Sequence, residues 1–211
     1  MQFQQGAEVL TADGKVLGRV ERVVMDPRTK AVTDLVIRKG TLLTEDKVAP
    51  VDSVDSTTEN TVVLRQKADE VGKLLPFEET QYVPAVGIDY QAEKALPLFV
   101  YPPVGTLWPK YPRTAPGQVF IPETKRNIPM NAVALKEGAA VISVDGERVG
   151  HVKRILTDPT HDIVTHLVIS QGLLPKTQKL IPSIWIKTVT DEHVYLAVEA
   201  RLLESLQAFE P

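Results

Sequence analysis

GAEVLTADGKVLGRVERVVMDPRTKAVTDLVIRKG, residues 6–40, has a counterpart further along the chain in GAAVISVDGERVGHVKRILTDPTHDIVTHLVISQG, residues 138–172. The two align without a gap at a constant offset of 132, and over residues 6–78 and 138–210 they share 26 identities in 73 positions. An internal repeat at fixed offset means that one structural unit is built twice. The expected layout is a first repeat over 1–78, a connector over 79–137 and a second repeat over 138–211. Units of about 75 residues bury only a modest core, so each is expected to lean on its twin or on the segment between them.

Within each repeat the periodicity is that of strands. Asp13-Gly14 and Asp145-Gly146 stand between apolar runs and predict a hairpin with a type I′ turn. Val16–Val24 then alternates with period two, with one lapse at Arg22, and Gly18 within it predicts a bulge or sharp bend. Asp26-Pro27 and Asp158-Pro159 read as turns, because proline presets φ and the aspartate bonds the backbone just beyond it. Strands are expected at Val32–Ile37, at Lys47–Val54 with Pro50 at an edge or bulge, and at Thr61–Leu64. The spacing of Val71, Leu74, Leu75 and Phe77 predicts a short helix over Ala68–Phe77, and Leu202, Leu203, Leu206 and Phe209 predict its counterpart. The fold class is therefore mainly β: two small antiparallel β-barrel domains, each followed by a short helix.

The ordered set Gly6-x-x-Val9, Asp13-Gly14 to Gly18-x-Val20, Asp26-Pro27, Leu35-Val36-Ile37 with Gly40, and Pro50, found again from Gly138, resembles the PRC-barrel domain family. The resemblance implies two tandem PRC-barrel repeats acting as a non-catalytic adaptor that binds another protein or complex. The family includes the cytoplasmic part of the heavy subunit of purple-bacterial photosynthetic reaction centres, which points to photosynthetic or other electron-transfer complexes as clients. It also includes the C-terminal domain of a ribosome maturation factor, which makes an RNA-processing or ribosome-assembly accessory the alternative.

The connector holds nine of the sixteen prolines and seven of the twelve aromatics. Prolines forbid continuous helix or central strand, whereas disordered linkers are poor in aromatics, so an ordered, extended segment packed on the barrels is expected. Tyr101, Trp108, Tyr111 and Arg113 there are candidate protein-contact residues, since aromatic and arginine anchors favour interfaces. Trp185, which replaces Ser53 of the first repeat, is a fifth. The run Ile181–Ile186 is apolar on both faces apart from Pro182 and Ser183 and is expected to be a strand buried on both sides, where two barrels or two chains meet.

All four histidines, His151, His161, His166 and His193, fall in the second repeat, and the first repeat has Arg19, Thr29, Lys30 and Asp34 at the positions of His151, His161, Asp162 and His166. They read as surface positions rather than a metal site. No nucleophile elbow, HExxH or dinucleotide fingerprint occurs, and the carboxylates mostly sit in turns, so no catalytic residue and no cofactor are expected. A net charge of −3 gives no electrostatic drive toward nucleic acid. No apolar run approaches the roughly 20 residues of a membrane span, no signal-peptide pattern opens the chain, and cysteine is absent. A soluble cytoplasmic protein is expected, with a protein partner or larger complex and the option of a homodimer.

Overall fold

Thr11 and Lys15 close the first hairpin, with the Thr11 amide donating to the Lys15 carbonyl at 2.9 Å around a three-residue loop. Only Gly14 of that loop has positive φ, at 74°. The turn is thus a type I turn ending on a left-handed glycine rather than the expected type I′. The computed structural model describes residues 1–38, 45–84, 120–136, 138–158, 160–171 and 177–209. In chain order the strands are β1 (Gln2–Gln4), β2 (Glu8–Leu10), β3 (Val16–Met25), β4 (Val32–Arg38), β5 (Asp46–Pro50), β6 (Val54–Thr57), β7 (Thr61–Leu64) and β8 (Leu75–Pro76). There follow β9 (Glu78–Pro84), β10 (Phe120–Arg126), β11 (Val133–Lys136), β12 (Ala140–Ile142), β13 (Arg148–Thr157), β14 (Val164–Gln171), β15 (Thr177–Pro182), β16 (Ile186–Val189) and β17 (His193–Leu196), then helix α1 (Ala200–Glu204). Two units result: residues 1–78 with 126–211, and residues 79–125. The smaller contains the two-stranded pairing of β9 with β10.

The larger unit is built from two sheets of the same order, β6-β7-β2-β3-β4-β5 and β16-β17-β12-β13-β14-β15. Each includes one parallel pair, β2 with β7 and β12 with β17, so the sheets are mixed and not the wholly antiparallel ones expected. Gly18 lies where a Cβ would stand 2.0 Å from the Arg38 carbonyl oxygen, and Gly150 where one would stand 2.7 Å from that of Ser170. Both glycines are thus required by close approach of the next strand. The lapse at Arg22 also has a local cause. Register shifts between Val20 and Arg22, the signature of a bulge at Glu21, so Val23 and Met25 join the main core while Arg22 and Val24 face the other way.

The halves exchange their first strands. β1 pairs with β13 of the second sheet, with Phe3 opposite Ile155, and β11 pairs with β3 of the first, with Leu135 opposite Val23. At the repeat offset these are the same contact made twice. Between them lies a third shared contact: the Val32 amide donates to Asp162 O and the Val164 amide to Lys30 O, both at 2.9 Å, around a bridge of Ala31 with Ile163. Lys30 and Asp162 take left-handed φ of 61° and 53° to allow it. In both flanking turns the aspartate accepts two backbone amides, Asp26 from Arg28 and Thr29, Asp158 from Thr160 and His161, which lowers both carboxyl pKa values. Phe3, Val23, Leu135 and Ile155 are all fully buried in one core cluster drawn from both halves. Val133–Lys136, read from sequence as connector, is therefore part of the first sheet.

The expected helix over Ala68–Phe77 is not formed. A 3-10 turn over Val71–Lys73 leads into β8 instead, since Gly72 and Pro76 oppose an α-helix. Its counterpart Ala200-Arg201-Leu202-Leu203-Glu204 has neither and is helical, with buried Lys179 donating to the Leu203 and Glu204 carbonyls at 2.6 and 3.1 Å.

Replacing Phe3 by Ala should cost about 3–5 kcal/mol. Far-UV circular dichroism and Trp185 fluorescence should shift together as one unfolding transition, although residue 3 and Trp185 belong to different repeats; two separated transitions would contradict the shared core. Asp13 gives a second prediction. The Thr11 hydroxyl, aided by the Ala68 amide and opposed by desolvation, lowers its pKa from 3.8 to about 2. The stability it contributes is present above the unfolded value and is lost as pH falls through the folded one. The urea stability gap between wild type and Asp13→Asn should therefore shrink between about pH 5 and about pH 2; a gap independent of pH would contradict this.

Candidate interaction surface of the second half

Pro182 opens a 3-10 turn, Ser183–Trp185, with φ −61° and ψ 139°. A proline fixes φ and has no amide to donate, so the strand ends there. The expected continuous strand Ile181–Ile186, buried on both sides, is corrected accordingly: Ile181 is fully buried in the core, whereas Ile184 is 80% exposed. Trp185 is half-buried, packs against the main core and accepts the Ala197 amide at 2.8 Å through its carbonyl. In the first half the same turn is Val51–Ser53, with Asp52 and Ser53 at the positions of Ile184 and Trp185. Lys30, from the turn at the junction of the halves, donates to the Ser183 carbonyl, so the turn is held beside that junction. Tyr101, Trp108, Tyr111 and Arg113 lie outside the described residues, as does most of the connector.

The second asymmetry is a cleft that mixes charged and apolar side chains. His151 and His193 lie on β13 and β17, on either side of β12, each opposite Ala140. A shallow cleft of about 360 Å³ is lined there by Lys136, Gly138, Ile142, Arg148, Glu192 and His193 among others. His151 Nδ1 is 2.8 Å from the Gly138 carbonyl oxygen, and Arg148 Nη2 is 2.9 Å from Nε2 and 3.3 Å from Nδ1. A carbonyl only accepts and a guanidinium only donates. The carbonyl contact therefore assigns the proton to Nδ1, and the guanidinium nitrogen lies against the ring. The backbone thereby positions the guanidinium through the imidazole, and Arg148 has no carboxylate within ion-pair distance among the described residues. Arg148 and Lys136 give the cleft donors suited to a carboxylate of a bound partner.

His161 and His166 do not join this cleft. His161 sits in the Asp158 turn, 3.3 Å from its carboxylate, and His166 pairs with Leu156 at the far end of the β13–β14 ladder. Among the described residues no group of three or more His, Asp or Glu side chains is arranged to hold a metal ion. Sequence reading missed Ile184 and the Gly138–His151–Arg148 chain. Setting Ile184 opposite Asp52 in the repeat alignment is the signal that finds the first; the second depends on a cross-strand register that alignment does not contain.

Long-range proton–nitrogen NMR at about pH 8, above the ordinary histidine range, should show His151 protonated at Nδ1 with an unprotonated Nε2. The Nε2–H form usual for a free surface histidine would contradict the chain described.

No curated protein matches this chain. Residues 5–71, the first of the two like-ordered sheets without its exchanged strand, match the PRC-barrel domain family.

Proposed function

We propose that the protein is a non-catalytic adaptor in which two interlocked PRC-barrel-like halves present a contact surface to another protein or complex. The observation that carries this reading is Ile184, 80% exposed beside half-buried Trp185 where the other repeat has Asp52 and Ser53. Leaving a large aliphatic side chain in water forgoes roughly 1.5–3 kcal/mol of burial. An apolar pair at one copy of a turn that is polar in the other is the composition of an anchor for a partner. The PRC-barrel match over residues 5–71 supports the same reading, because the domain resembles adaptor modules. A photosynthetic or other electron-transfer complex is the client class that resemblance suggests, with a cytoplasmic location.

The test is crosslinked capture from native lysate with the wild-type chain and with Ile184→Asp, a change that restores the residue found at position 52 and leaves the core intact. A discrete protein partner should be recovered by the wild type and lost with the variant. Recovery of no partner, or of the same partner by both, would overturn the proposal.

A further inference from the structure

The outer faces of the two sheets share four apolar positions, although Gln2 stands on the second where Ala134 stands on the first, and they differ in what lies on them. On the first, Val24, Val36, Val48 and Phe77 are no more than 5% exposed and form a second core cluster with Ala134. Ile128 and Ala132 pack over it. The covering segment is anchored at its start: the Asn127 amide donates to Phe77 O at 2.9 Å and its side-chain amide to Pro76 O at 2.8 Å. The Arg126 guanidinium lies 5.6 Å from the Phe77 ring centroid and pairs with Asp191 at 2.5 Å.

At the repeat offset the second face is Leu156, Val168, Leu180 and Phe209. Its geometry repeats closely: Phe209 donates its amide to Gln178 O at 2.7 Å, as Phe77 does to Asp46 O at 2.7 Å. Val168 is fully buried, but Leu156, Leu180 and Phe209 are only half-buried and join neither core cluster. Leu156, Leu180 and Phe209 thus keep partial exposure where every member of the first face's cluster is buried. Two of the four side chains are larger than their counterparts, Leu for Val, on the less covered copy. Large aliphatic and aromatic side chains left partly exposed side by side mark a surface suited to a partner. The charge partner is also retained. Glu59 occupies the position that Asp191 holds on the first face, and its side chain is 51% exposed while pairing with Arg154 at 3.1 Å.

We propose that this second face docks an extended segment of a partner protein bearing an arginine and, two residues on, an aliphatic side chain. The arginine stacks on Phe209 and meets Glu59; the aliphatic residue fills the space between Leu156 and Leu180. The inference rests on the adaptor reading and names the chemistry of the segment recognised. It uses a surface other than the Ile184 turn.

The probe is a capped synthetic peptide of the chain's own residues 124–132, Thr-Lys-Arg-Asn-Ile-Pro-Met-Asn-Ala, titrated into the full-length protein and followed by methyl NMR. Saturable shifts at Leu156 and Leu180 are expected, weakened about tenfold when the peptide arginine or isoleucine is replaced by alanine. Leu180→Lys should abolish them, and Phe209→Ala, a milder change, should weaken them in a protein whose amide spectrum stays dispersed. Ile184→Asp should leave them unchanged. Shifts confined to Val24 and Val48, absence of saturation, insensitivity to both face variants, or peptide-independent dimerisation through this face would overturn the proposal. Capture of a partner unaffected by Leu180→Lys would remove this inference and leave the adaptor reading standing.

Discussion

Everything in the larger unit depends on the exchange of first strands. Phe3 completes the core of the second sheet and Leu135 that of the first, each fully buried and each carried by the strand that immediately precedes the aligned region of the other copy. The Ala31–Ile163 bridge adds two backbone hydrogen bonds where the copies meet. A repeat of about 75 residues has a poor ratio of core to surface. Sharing one core across both copies resolves that, and it ties the stability of each half to the first strand of the other.

Much of the sheet order was legible because it rests on residues with strong local rules. Asp-Gly and Leu-Val-Ile recur at one offset and mark hairpin turns and central strands in both copies, and Asp26 and Asp158 mark a further turn in each. Gly18 and Gly150 were readable as bends, and the structure supplies the reason in the carbonyls that crowd them. The exchange itself was not legible. Gln2-Phe3-Gln4 and Ala134-Leu135-Lys136 share no identity, so alignment begins at Gly6, just past the strands that matter most. Their roles require only an apolar residue at the centre of a three-residue strand, a signal too short to separate from chance. The missing first helix has a similar cause: Val71, Leu74 and Phe77 fit a helical stripe, but Gly72 and Pro76 decide the backbone.

The functional surface was partly legible, and only by subtraction. Trp185 stood out because its counterpart is serine, although the proline turn that carries it was read as strand. Ile184 beside it is the more exposed anchor. The histidines drew attention for their asymmetry, and two of them flank β12, where the His151 ring lies between the Gly138 carbonyl and the Arg148 guanidinium. The outer face of the second sheet was invisible in sequence, since Leu156, Val168, Leu180 and Phe209 look like core. Only the partial exposure of Leu156, Leu180 and Phe209, beside the buried face of the first sheet, distinguishes them.

Native-state hydrogen exchange at Gln2–Gln4 and Val133–Lys136 tests the interlock most directly. The hydrogen-bonded amides of both strands should exchange only through global unfolding, at the free energy measured for the central strands around Leu35 and Leu167. Rapid exchange at Gln2–Gln4, like that of an ordinary frayed chain end, with the central strands still protected, would show that the exchanged strand does not hold the halves together.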